Sequence, residues 1–176
     1  MLSIGILGGS FNPAHEGHIH ISEIAYKELN LHKVIWAVSP ANPHKDVSLL
    51  NDFAERISDA KALTQNKPFI KVSDLENHLS RYSNKNKYYS YNFLKRFKTL
   101  HPKYEINFII GSDNLINFHK WYRYKNILEL VNLVVIDRPK YKYKALSSKV
   151  GRTKNYTYIN AKGLGISSTE IRNRAN

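Results

Sequence analysis

The feature that most constrains the fold is a break in periodicity near the start of the chain. An apolar run from Leu2 to Leu7 stops at Gly8-Gly9, continues as Ser10-Phe11-Asn12-Pro13-Ala14-His15-Glu16-Gly17-His18, and passes into Ile19 to Leu29, where Ile21, Ile24, Ala25 and Leu29 recur at helical spacing. This reads as a buried strand, a glycine turn and a helix start. Such a junction aims backbone N–H groups and the positive end of the helix dipole at one point, which favours phosphate. Glycine at positions 8 and 9 lets the chain approach an anion without interference from Cβ. His15 and His18 fall three residues apart, close together if the first helical turn begins there, and both can donate to phosphate oxygens. No Gly-Lys-Ser/Thr follows the glycines and the three-glycine spacing of a dinucleotide fingerprint is missing. Phosphate would therefore be held by backbone and histidine. Taken alone, the glycines also fit an ordinary strand-to-helix turn with solvent-facing histidines. Metal binding by His15, His18 and His20 lacks a cysteine or an evidently placed carboxylate to complete it, so no metal site is expected.

Lys33 to Val38 is a second short apolar run, giving strand, helix and strand within one βαβ length. It ends in Ser39-Pro40-Ala41-Asn42-Pro43-His44-Lys45, where two prolines impose an irregular loop. Following a parallel strand, that loop lies on the same sheet edge as the glycine turn, which makes Lys45 a phosphate-contacting candidate beside His44. A helix is predicted over 51–63 with Phe53, Ile57 and Ala60 on one face, and a third strand over 69–72. Residues 73–87 read as a polar loop, the most mobile part of the chain. A helix follows to about Leu100 with Ser90 as its N-cap. Ile106 to Ile110 reads as a strand, Gly111-Ser112-Asp113-Asn114 as a turn, Tyr124 to Leu130 as a helix and Leu133 to Ile136 as a strand. Residues 140–154 are basic and turn-like, Tyr156 to Ile159 is a candidate last strand, and the serines of Ile166-Ser167-Ser168-Thr169-Glu170-Ile171-Arg172 look like a helix cap.

A chain of 176 residues suits one domain, residues 1–176, with a proper core. The absence of cysteine excludes disulfides and thiolate chemistry, and the first residues lack the pattern of a signal peptide, so a cytoplasmic protein is expected. No stretch approaches a membrane span. The formal charge of +13, from 27 Lys and Arg against 14 Asp and Glu, favours anionic partners. Because no recognised nucleic-acid motif accompanies it, small phosphorylated substrates are preferred to nucleic acid.

The opening motif closely resembles the Gly-[Gly/Ser]-[Thr/Ser]-Phe-[Asp/Asn]-Pro-x-His-x-Gly-His signature of an adenylyltransferase superfamily. Together with Asn42-Pro43-His44-Lys45, Ser90-Tyr91, Gly111-Ser112-Asp113, Trp121-Tyr122, Arg138-Pro139 and 166–172, it resembles bacterial nicotinate-nucleotide adenylyltransferase over essentially the whole chain. The resemblance implies a Rossmann-like parallel sheet with helices on both faces and the reaction of ATP with nicotinate mononucleotide to give deamido-NAD and pyrophosphate. It implies that main chain near Gly8, Gly9, Ser10 and Phe11 holds the ATP phosphates with His15, His18, Lys45, Ile166, Ser167, Ser168 and Arg172, and that Mg²⁺ accompanies the pyrophosphate. His15, His18, Lys45 and Arg172 would serve catalysis. On the acceptor side it implies Gly111 and Asp113 at the nucleotide, Trp121 stacked on the pyridine ring, and main chain at Tyr122 and Asn92, beside Tyr91, donating to the ring carboxylate. It leaves a homo-oligomer open. Asn92 replaces the usual Thr, and Lys140 replaces the usual Gly after Arg-Pro, which predicts a different turn there. A related acceptor, such as nicotinamide mononucleotide or phosphopantetheine, and a non-catalytic basic binding module are the competing expectations.

Overall fold

The computed structural model describes residues 2–40, 52–80, 89–138 and 140–160. The strands are β1 (Leu2–Gly9), β2 (Lys33–Val38), β3 (Ile70–Ser73), β4 (Tyr104–Gly111), β5 (Asn132–Ile136) and β6 (Thr157–Ile159). They form one sheet in the order β3-β2-β1-β4-β5-β6, and every pairing is parallel. This is the Rossmann order, in which the chain reverses direction across the sheet between β1 and β4. Ligands of such sheets bind outside the carboxyl ends of the strands at that reversal.

Parallel strands covered on both faces need apolar side chains on both sides, and these have them. Along β1, Ile4 and Ile6 pack into one layer while Leu7 turns to the other, and the two layers use Phe108 and Ile109 of β4 in the same alternating way. The first layer is closed by α4 (Ser90–Leu100) and α6 (Tyr124–Leu130) through Phe93, Leu94, Phe97 and Ile127; the second is closed by α1 (Glu16–Glu28) and α2 (Phe53–Thr64) through Ile21, Ala25 and Ala60. The short helices α3 (Leu75–Ser80), α5 (Ser112–Leu115) and α7 (Lys142–Leu146) and two 3₁₀ turns, Phe118–Lys120 and Gly151–Thr153, complete the described elements.

Several local expectations are corrected. The helix expected from Ile19 begins at Glu16 because His15 caps it. Part of the loop expected over 73–87 is helical, since the Ser73 hydroxyl accepts from the Leu75 N–H at 3.2 Å and starts α3. Ser90 is the first residue of α4 rather than its cap; Tyr89 occupies that position without a side-chain capping bond. The turn expected at 111–114 closes into α5, and the basic stretch expected to be turn-like contains α7. Lys140 has φ 76°, a left-handed conformation of the kind glycine accepts without cost.

Candidate active site

Two glycine-ended strands meet at the sheet reversal. Leu7 pairs with Ile109, so two residues further on Gly9 and Gly111 finish abreast at the carboxyl edge. Gly9 also pairs with Val38, and its carbonyl accepts from the Ser39 N–H at 2.9 Å, which brings the end of β2 to the same point.

Beyond β1 the left-handed conformation falls on Phe11, φ 47°, and on neither glycine. That turn buries the Phe11 ring against Trp36, 4.8 Å between centroids, and brings it 4.7 Å from the His18 ring. Trp36 is itself fixed: its indole N–H donates to the Ser22 hydroxyl at 2.8 Å, and Ser22 donates to the His18 carbonyl at 2.8 Å. An aromatic stack thus locks α1 and the imidazole of His18 onto the sheet.

His15 and His18 cap α1 reciprocally. His15 Nδ1 accepts from the Gly17 N–H at 3.1 Å, His18 Nδ1 accepts from the His15 N–H at 3.2 Å, and the two rings lie 3.9 Å apart. This is a capping box built from two histidines in place of the usual Ser/Thr and Glu. Because each Nδ1 accepts a hydrogen bond from main chain, the neutral ring carries its proton on Nε2. The consequence revises one expectation: the N–H groups of His15, Gly17 and His18 are satisfied within the chain, the last by the His15 carbonyl at 2.8 Å. Those three amides are thus engaged within the turn and are not the open donors that the helix start leads one to expect.

At the end of β4, Ser112 is fully buried and its hydroxyl accepts from the Arg138 N–H at 2.9 Å. Asp113 pairs with the Arg138 guanidinium at 3.2 Å. Gly111 is required by this pair, because a Cβ there would stand 2.4 Å from Asp113 Oδ1 and 3.1 Å from Arg138 Nε.

The acceptor-side candidates also converge. The rings of Tyr89 and Tyr122 stack at 4.7 Å, Tyr91 meets Tyr122 edge-on at 6.2 Å, and the Arg123 guanidinium lies 5.4 and 5.5 Å over Tyr91 and Tyr122. Arg123 adopts φ 53° to do so. Trp121 is half-buried, with one part of its ring against Phe118 at 5.1 Å and Phe108 at 6.2 Å. Asn92 is less simple, since its N–H already donates to the Tyr89 carbonyl at 2.9 Å in the first turn of α4. His44, Lys45, Ile166, Ser167, Ser168 and Arg172 lie outside the described residues.

The sequence reading passed over Arg56 and Glu76. Arg56 is 2% exposed and Glu76 6%. The signal for Arg56 was its place in register with the apolar face of α2, where Arg56, Ala60 and Thr64 are all buried at four-residue spacing. Burial pushes the Glu76 carboxyl up to about 7, against a hydrogen bond with the Ser39 hydroxyl that acts the other way.

A parallel sheet in the Rossmann order, with a histidine-capped helix at the reversal, defines a nucleotide-handling α/β protein, and residues 6–174 match the cytidylyltransferase-like family model. A protein of Pelagibacter ubique named "Probable nicotinate-nucleotide adenylyltransferase" is 46% identical over 172 residues, covering 96% of this chain and 91% of its own length; one of the same name from Rhizobium etli is 37% identical over 191 residues, covering 98% and 96%. This chain belongs to the nicotinate-nucleotide adenylyltransferase family. The fold is shared with the nicotinic acid mononucleotide adenylyltransferase of Plasmodium falciparum, at a TM-score of 0.80 and 24% identity over 98% of this chain and 83% of that one. Among the described residues no helix is long and apolar enough to cross a membrane.

Proposed function

We propose that this chain transfers the adenylyl group of ATP to nicotinate mononucleotide, giving deamido-NAD and pyrophosphate. The observation that carries the reading is the pair of imidazoles, 3.9 Å apart, held at the carboxyl end of β1 beside the sheet reversal. A phosphate oxygen of the mononucleotide attacks the α-phosphorus of ATP; one P–O bond forms as the bond to the bridging oxygen breaks, and pyrophosphate departs with the electron pair. The nucleophile is already an anion. The protein therefore needs neither a nucleophile nor a strong base; it must align two anions and neutralise charge that grows on the α-phosphate and the leaving group.

His15 and His18 suit that task because their Nδ1 atoms are tied to main chain, which presets the direction of each Nε2–H. A preset donor needs no reorganisation as charge develops. Lys45, Ser167, Ser168 and Arg172 complete the proposed cradle, and Asp113 takes the nucleotide side of the Gly111 turn. Mg²⁺ would accompany ATP and neutralise charge on its phosphate oxygens. Trp121 would offer its remaining surface to the pyridine ring, and main chain at Tyr122 would donate to the ring carboxylate, the Asn92 N–H being engaged by the Tyr89 carbonyl. The proposed location is the cytoplasm.

The test is direct: purified protein with Mg-ATP is given nicotinate mononucleotide, nicotinamide mononucleotide or phosphopantetheine in turn, and pyrophosphate and the dinucleotide product are followed. Release that depends on nicotinate mononucleotide supports the reading. Release with phosphopantetheine alone, or none with any acceptor, overturns it.

A further inference from the structure

Arg56 stands on the inward side of α2, and its guanidinium reaches past the helix to the ends of two strands. Nη1 donates to the carbonyl oxygens of Ser10 at 2.6 Å and Ser39 at 2.8 Å, and Nη2 donates to that of Pro40 at 3.0 Å. Ser10 follows β1, and Ser39 and Pro40 follow β2. One planar fork therefore spans the start of the histidine turn and the chain leaving β2. A guanidinium suits this place because it presents several donors in a fixed plane, whereas an ammonium is a point charge on a flexible stem.

The three acceptors are main-chain carbonyls of two strand ends. Burial lowers the pKa of Arg56 and Asp52, nearby, opposes that shift, but a guanidinium stays protonated at any pH at which the protein works. A protonated guanidinium thus lies buried behind the glycine turn, held by three main-chain carbonyls.

We propose that Arg56 is a positioning residue for adenylyl transfer. It fixes the spacing of the chain that leaves β1 and the chain that leaves β2, at Ser10 and at Ser39 and Pro40. It acts through the main chain: the Ser10 carbonyl it grips precedes Phe11, whose left-handed turn sets the ring against which His18 packs. The inference rests on the reaction proposed above.

The experiment compares wild type with Arg56→Lys and Arg56→Met, measuring melting temperature and, well below the lowest of them, kcat and both KM values. Lysine keeps the charge but cannot bridge both strand ends, so Arg56→Lys is expected to lower kcat by about tenfold or more with KM for ATP little changed, because slight misplacement of reacting groups is costly. Arg56→Met removes all three bonds and should lower kcat at least as far. Wild-type kcat and KM in folded Arg56→Lys overturn the proposal and leave Arg56 a structural staple, whatever the melting temperatures. If Arg56→Met does not fold, the lysine variant decides alone. A wild-type protein that makes no dinucleotide in the same assay contradicts the proposed reaction instead.

Discussion

On the proposed reading His18 carries two loads at once, since its Nδ1 satisfies the His15 N–H while its Nε2–H would donate to phosphate. Replacing it with alanine is expected to lower kcat at least about 100-fold with little change in ATP binding, because a donor aimed at developing charge acts mainly in the transition state. The same change should cost about 1 kcal/mol of stability through the lost cap. Near-normal kcat in His18→Ala would remove the residue from the catalytic role. Both histidines were legible in the sequence, but their capping was not: the pattern that announces a capping box is Ser/Thr followed by Glu/Gln, and imidazole in both places matches no such signature. Lys140 shows the same limit: its departure from glycine was visible, but not the backbone it adopts, φ 76°, which an L-residue holds at a cost in strain. Lys140→Gly should therefore stabilise the protein by about 0.5 to 1 kcal/mol, the relief of strain exceeding glycine's entropic penalty. The check is the denaturant midpoint, and a lowered midpoint would contradict it.

Among the elements, the strands were the most legible, because Lys33–Val38 and Leu133 to Ile136 are near-continuous apolar runs with turn residues at their ends. The helix α3 was hidden for a physical reason. Six residues form it, too few to show a period, and tertiary contact rather than propensity holds it in place. It carries Glu76 inward, and that burial has a measurable consequence. The folded carboxyl titrates at about 7 while an unfolded glutamate titrates near 4.5. Between those values the folded chain keeps a proton that the unfolded chain has released, so stability falls as pH rises through that window and levels off above about 7. The loss is at most about 3 kcal/mol. Glu76→Gln cannot ionise, so its melting temperature should exceed that of wild type at pH 8 by more than at pH 5. A gap that stays constant between the two would show that Glu76 does not titrate in this way.

At the scale of the whole molecule, two glycine turns far apart in sequence become one site only because β1 and β4 are neighbours. The sequence announced each strand and each turn, yet nothing local states which strands pair; the reversal between β1 and β4 is a property of the assembled sheet. Arg56 was missed for the same reason, since its partners at Ser10, Ser39 and Pro40 are brought to it by the order of the strands. The formal charge of +13 then has a simple use, drawing two anionic substrates to one edge. Acceptor choice is the sharpest expression of that arrangement. On the proposed reading the acid mononucleotide would bring its carboxylate to the Tyr122 main chain, whereas the amide would turn its own N–H groups toward donors. The Asn92 N–H is partly committed to Tyr89, so one full charge-assisted contact is the safe basis for a magnitude. Such a contact is worth about 1.5 to 3 kcal/mol, or a preference of at least about tenfold. The deciding measurement is kcat/KM for nicotinate and nicotinamide mononucleotide at saturating Mg-ATP: a preference for the acid of at least about tenfold is expected, and equal values, or a preference for the amide, would contradict the proposed reading of this site.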